Sequence, residues 1–249
     1  MSRERLVDCD RRALIGAGGA LILSAALWPA PAPAQTSGAT KLRIGVIGSG
    51  KIGGTIGGLW VKAGHPVLFS SRHPEELKDM VAGLGALAQA GTVEQAVAFG
   101  DAIFVAVPYG ALPLIGKDHA AGLKNKIVLN ACNAVAARDG EVAAEVEQNG
   151  IGVTSQKYLA GTRLVRSFNT MSYMTFAREA NRPDPRLAIP IAGDDAEAVK
   201  VASALVSDAG FDPVVVGKLA DARRFQRGNP GYGQPVSAAE LRQKLNLAP

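Results

Sequence analysis

The sequence predicts an α/β fold with a mainly parallel sheet wound on both faces by helices and a small C-terminal αβ extension. Three observations predict it. Short apolar runs rich in β-branched residues alternate with helical segments from Lys41 to Gly217, the order that builds a covered parallel sheet. A glycine-rich turn joins the first run to the first helix. Glycine is abundant (29 residues) while aromatics make up only 5%; this suits close packing of helix on sheet and argues against a nucleic-acid partner, whose bases need aromatic stacking platforms.

The elements follow in order. "KLRIGVIG" (41–48) reads as a strand, and "KIGGTIGGLWVKAG" (51–64) as a small-residue helix with Ile52, Ile56, Leu59 and Trp60 on one face. "HPVLFSS" (65–71) is a second strand. "PEELKDMVAGLG" (74–85) is a helix that opens on a proline with acids in its first turn, as the helix dipole favours. A short helix over 93–100 precedes the buried strands "DAIFVAVP" (101–108) and "NKIVLNAC" (125–132). Further strands are predicted over 162–169, 186–193 and 211–217, with a helix over 195–210 closed by Gly210. From Lys218 to Pro249 the character changes, and this segment, with a short helix in "SAAELRQKLNL", is expected to be a surface appendage.

The turn "GSGKIG" places Gly48, Gly50 and Gly53 at G-x-G-x-x-G spacing directly between a strand and a helix. In a Rossmann-like domain the first glycine makes the tight turn. The second lets a pyrophosphate approach the backbone, and the third lets the helix pack on the strand. The helix N-terminus then offers free N–H groups to phosphate. The second strand distinguishes cofactors. An NAD site carries an acid near that strand's end to bind ribose hydroxyls; here the end reads "FSSRHP". Ser70, Ser71 and Arg72 suit a 2′-phosphate, which a guanidinium binds through charge-assisted hydrogen bonds. The cofactor expected over residues 41–217 is therefore NADP(H). Ligands lie beyond the carboxyl ends of such strands. That logic brings Val107 and Pro108 to the ribose and nicotinamide, with Asn130, Asn133 and Asn169 as further candidates, although each asparagine equally suits a turn.

No catalytic acid or base stands out among His65, His73 and His119, and no cluster has metal-ligand spacing. Hydride transfer between stacked rings needs chiefly proximity and orientation. The net charge of +5 agrees weakly with a polyanionic small ligand. Ahead of the domain, Arg11-Arg12, an apolar run from Ala13 to Trp28 and the Ala/Pro stretch to Ala34 read as an export signal of twin-arginine type. This predicts a periplasmic protein, cleaved after residue 34, with no membrane span left. Cys132 is then the one cysteine remaining, and a buried thiol is expected.

With these residues in view, the chain resembles the NADPH-dependent reductases of the deazaflavin coenzyme F-420. It also resembles the related cytosolic domain of six-transmembrane metalloreductases. The resemblance runs from about Lys41 to Arg224 and rests on "IGVIGSGKIG", "SSRHPEEL", "IFVAVP", "LVRSFNTMS" and the block from Ala192 to Arg223. It implies NADP(H) held by Gly48, Ser49, Gly50, Lys51 and Ile52, with Ser71 and Arg72 at the 2′-phosphate. It implies Val107, Pro108 and the Asn169 region near the nicotinamide, and direct hydride transfer to a flavin or deazaflavin acceptor without a protein acid or base. The export leader and the "RGNPGYGQP" tail depart from the family, and the haem-bearing helices of the metalloreductases are missing. Two other readings stay open: a nucleotide-binding accessory protein without turnover, and an imine or carbonyl reductase. For the latter the chain is short after Gly193. The sequence leaves the oligomeric state open, with a homodimer among the options.

Overall fold

A computed structural model describes residues 41–248; the leader expected over residues 1–34 lies outside the described residues. The elements are β1 (Ile44–Ile47), α1 (Lys51–Lys62), β2 (Val67–Ser70), α2 (Lys78–Leu84), β3 (Ala88–Gly91), α3 (Val93–Phe99) and β4 (Ala102–Val105). There follow α4 (Leu112–Asp118), α5 (Ala120–Leu123), β5 (Ile127–Asn130), α6 (Ala136–Asn149), α7 (Ile151–Tyr158) and β6 (Arg163–Arg166). The chain continues through α8 (Tyr173–Glu179), β7 (Ala188–Gly193), α9 (Ala196–Asp208), β8 (Asp212–Gly217), a 3-10 helix (Leu219–Phe225) and α10 (Ala238–Lys244).

The eight strands form one sheet in the order β3-β2-β1-β4-β5-β6-β7-β8. Pairing is parallel throughout except between β6 and β7, which run antiparallel. The first six strands thus have the doubly wound dinucleotide-binding order, and β7 and β8 extend it, as the expected αβ extension. The chain reverses its direction of travel between β1 and β4, which makes that gap the topological switch point. The register puts Gly91, Ser70, Ile47, Val105, Asn130 and Arg166 in one row at the carboxyl edge. Every candidate site residue beyond a strand follows directly on this row.

Alternation along each strand sends side chains to two cores. Ile44, Val46, Phe69, Phe104, Leu129 and Val165 face one side, under α1, α8 and α9. Ile47, Ile103, Val105, Val128 and Leu164 face the other, under α3 to α7. The predicted stripe on α1 is confirmed there, with Ile56 and Trp60 fully buried and Ile52 and Leu59 packed beside them. Trp60 also donates its indole N–H to Leu205 O at 2.7 Å, which ties α1 to α9.

Two expectations need correction. The helix over 74–85 begins as a 3-10 turn, Pro74–Leu77, before α2. The C-terminal segment is not a surface appendage. Leu219, Ala222, Phe225, Leu241 and Leu245 belong to the second core, and Ala188 N donates to Val236 O at 2.9 Å. The misreading has a physical cause: the apolar residues are spread over a 3-10 helix and a short α-helix separated by turns, so no long periodic run announces them. No helix among the described residues is long and apolar enough to cross a membrane.

Candidate functional site

The glycine turn has the geometry its spacing implies. Gly48 lies at φ +92, and a Cβ there would stand 2.6 Å from Ala106 O and from the Val107 side chain. A side chain is thus excluded on conformation and on space. Gly53 packs directly on Gly48 O, where a Cβ would collide. Gly50, by contrast, is exposed and faces open space. It begins α1 with no side-chain cap, and the first turn holds no acid. The helices α3, α9 and α10 are each capped, by Thr92, Asp195 and Ser237. An uncapped helix leaves its first N–H groups without partners. Here they open beside the exposed Lys51, which suits a phosphate group. Lys51 Nζ stands 5.1 Å over the Tyr173 ring, so the turn is flanked by α8. Ile52 is half-buried against the core. The Lys51–Tyr173 contact was not visible in the sequence, because it joins segments about 120 residues apart.

The structure divides the residues after β2. Ser70 is fully buried. Its hydroxyl donates to Val46 O at 2.7 Å, and its carbonyl accepts from Ser49 N at 3.2 Å and Ser49 Oγ at 3.0 Å. Ser70 therefore clamps the turn to the sheet and does not reach a ligand, correcting its expected place at the phosphate. The reason is the pleat, which points Ser70 inward and leaves the following residues outside. Ser71 is half-buried, and its hydroxyl oxygen accepts from His73 N at 3.1 Å. Arg72 is exposed, and the neighbouring Glu75 is engaged by His73 at 3.3 Å. Ser71 and Arg72 thus remain as the polar corner beyond β2.

At the far end of the site, Val107 N donates to Cys132 Sγ at 3.4 Å, and Pro108 is exposed at the mouth. Asn130 is buried. Its Oδ1 accepts from Cys132 N at 2.8 Å and Arg166 Nη1 at 2.7 Å, so it braces the floor rather than touching a ligand. This corrects its expected role. Asn133 and Asn169 meet across the strand ends: Asn133 Nδ2 donates to Asn169 O at 2.6 Å, and Asn169 Nδ2 donates to Asn133 Oδ1 at 3.3 Å and Phe225 O at 3.2 Å. Asn169 is buried and Asn133 half-buried, so of the two only Asn133 is open to a ligand. The turn that brings Asn169 there passes through Phe168, which sits at φ +56. A left-handed phenylalanine is unfavourable. Its ring is held edge-on by Trp60 at 5.7 Å, Phe104 at 5.8 Å and Phe176 at 5.8 Å.

Beside Asn133 a cavity of about 210 Å³ opens, lined by Val135, Val146, Ile151, Gln226 and Arg227. Two of these come from the C-terminal segment, which the sequence had not connected with the site. Burial pushes the Cys132 thiol up to about 11 and the Tyr109 phenol up to about 12. Both are neutral near pH 7, so neither offers a thiolate or phenolate to chemistry.

Comparison with known proteins agrees with this geometry. Residues 43–134 match the family model described as NADP oxidoreductase, coenzyme F420-dependent. The metalloreductase STEAP3 of Rattus norvegicus is 30% identical over 192 residues, covering 74% of this chain and 36% of its own length. The chain thus spans about a third of that relative. Among solved structures, hypothetical protein SMa0349 from Sinorhizobium meliloti superposes with a TM-score of 0.66 at 24% identity, over 79% of this chain and 95% of its own. A protein described as an F420-dependent NADP-reductase from Arthrobacter sp. FB24 gives 0.62 at 22%, over 73% and 87%. At those identities the two structures speak for the fold. Over residues 43–134, the chain is thus similar to the coenzyme F420-dependent NADP oxidoreductases that this family model describes.

Proposed function

We propose that the protein is an NADP-dependent oxidoreductase that moves hydride between NADPH and a flavin or deazaflavin-type acceptor. The observation that carries this is the uncapped, acid-free start of α1 behind Gly48, with the exposed Arg72 at the end of β2. Together they offer sites for a pyrophosphate and for a 2′-phosphate on one rim of the sheet. Bound NADPH supplies the hydride. The residues' part is to hold it: Gly48 and Gly53 shape the turn, Lys51 and the helix start meet phosphate, and Ser71 and Arg72 meet the 2′-phosphate. Val107, Pro108 and Asn133 border the ring end, next to the cavity that opens toward Gln226 and Arg227. The leader reading adds that the protein is exported to the periplasm with its nucleotide already bound. Such loading would reconcile a cytoplasmic cofactor with an exported protein.

The deciding experiment is NADPH oxidation by the purified full chain against flavin, deazaflavin, quinone and ferric acceptors. Turnover with a flavin or deazaflavin at a rate well above that with ferric salts is expected. Tight NADPH binding without turnover on any acceptor would make the protein a nucleotide-binding module instead. Export of the loaded form predicts near-stoichiometric NADP(H) in protein isolated from the periplasm, read by mass after denaturation.

A further inference from the structure

Against the Asn130–Cys132 turn, which touches Val107, lies a cation without a counter-ion among the described residues. Arg166 is fully buried at the carboxyl end of β6. Its guanidinium donates from Nη1 to Asn130 Oδ1 at 2.7 Å and from Nη2 to Cys132 O at 2.8 Å, while Nε has no partner. Cys132 in turn touches the Val107 turn through its sulfur. The surrounding ionisable groups leave the charge uncompensated. Cys132 and Tyr109 are neutral. Asp139 is answered by Arg138 at 2.8 Å, and Glu145 by Lys157 at 2.7 Å. Asn130 Nδ2, Ser167 Oγ, Asn169 Oδ1 and Thr170 Oγ1 are also buried without protein partners. A guanidinium stays protonated at such a site. An unpaired buried charge costs several kcal/mol that a well-packed apolar residue would avoid. Stability alone does not account for it.

We propose that Arg166 is a positioning charge that makes the site discriminate between the two redox states of the nucleotide, favouring neutral reduced nicotinamide over the oxidised pyridinium. The inference rests on the NADP(H) reading above. The two nucleotides share their phosphates and adenosine, so a cation near the ring acts almost entirely on the difference between them. If the ring lay about 10 Å from the guanidinium, at an effective dielectric of about 20, the repulsion would amount to roughly tenfold in affinity. Screening by salt is weak because the charge is buried. The site would hold NADPH and shed NADP+, as suits a protein that must retain a reduced cofactor until an acceptor arrives.

The test is titration of the full chain with NADP+ and with NADPH, free of acceptor. The wild-type protein is expected to bind NADPH about tenfold or more tightly than NADP+, which corresponds to a shift of about 30 mV in the bound couple. The ratio is expected to hold between low and high salt, whereas a surface charge such as Lys51 or Arg72 would lose its effect. Arg166→Gln is expected to bring the ratio toward one. A wild-type ratio near one, a ratio that collapses with salt, or an unchanged ratio in Arg166→Gln overturns the inference while leaving the NADP(H) reading standing. Binding of neither nucleotide overturns both. Should Arg166→Gln fail to fold, the wild-type ratio and its salt dependence still decide.

Discussion

Two adjacent serines with the same chemistry have different fates. Ser70 is locked to Val46 O, while Ser71 and Arg72 stay at the rim. On the proposed reading, specificity for the 2′-phosphate rests chiefly on Arg72. Replacing it by glutamate exchanges a charge-assisted hydrogen bond for repulsion. Arg72→Glu is expected to weaken NADPH by about 2 kcal/mol, roughly thirtyfold, while NADH changes by about threefold or less. Titration with both nucleotides reads this, and equal losses would remove Arg72 from the 2′-phosphate.

Side chains cap four of the described helices, α3, α8, α9 and α10. The start of α9 is fully equipped. Asp195 accepts from Ala198 N at 2.8 Å and takes a bidentate pair from Arg163, at 2.8 and 2.7 Å. This joins β6 to α9 across the antiparallel seam. The Arg163 hydrogen bonds, with help from the helix backbone, hold the Asp195 carboxyl down to about 2 from an ordinary 3.8. A depressed carboxyl stabilises the fold above its unfolded pKa, and that stabilisation drains as pH falls through the folded value. Asparagine keeps the cap but loses the charge. Asp195→Asn is thus expected to lower the urea midpoint near neutral pH, with the deficit shrinking as pH drops from about 4 toward 2. A deficit independent of pH would assign the loss to geometry rather than charge. The start of α1, like those of α2 and α4 to α7, has no side-chain cap; on the proposed reading its open N–H groups meet phosphate.

At the scale of the whole molecule, the C-terminal segment packs into the second core and supplies part of the cavity beside Asn133. Phe225 is fully buried, its carbonyl holds Asn169, and the next two residues line the cavity beside Asn133. If the segment were a surface tail, Phe225→Ala would change stability by about 0.5 kcal/mol or less. As a core residue it is expected to cost about 3–5 kcal/mol in urea unfolding. It should also loosen the Asn133–Asn169 pair and weaken binding at the ring end.

The local pattern was sufficient for much of this. The alternating runs yielded seven of the strands because β-branched apolar segments between turns have few other fates. The glycine turn was legible because steric exclusion at Gly48 and Gly53 is a local matter. The strand β3, "AQAG", was missed since it carries almost no apolar signal and exists by pairing with β2. The helices from α4 to α8 were missed because four of them are only four to eight residues long and α6 is broken at Gly140, so no long apolar period announces them. Sequence by itself thus determined the fold class, the phosphate turn and the polar corner at Arg72. Tertiary structure alone decided that Asn130 and Asn169 are buried while Asn133 stays partly open, that Ser70 and Asn130 serve the scaffold, that Arg166 is buried with its Nε unpartnered, and that the C-terminal segment joins the core and lines the cavity beside Asn133. These depend on the strand register and on contacts between distant segments, and burial and pairing are properties of the packed sheet that no single segment carries.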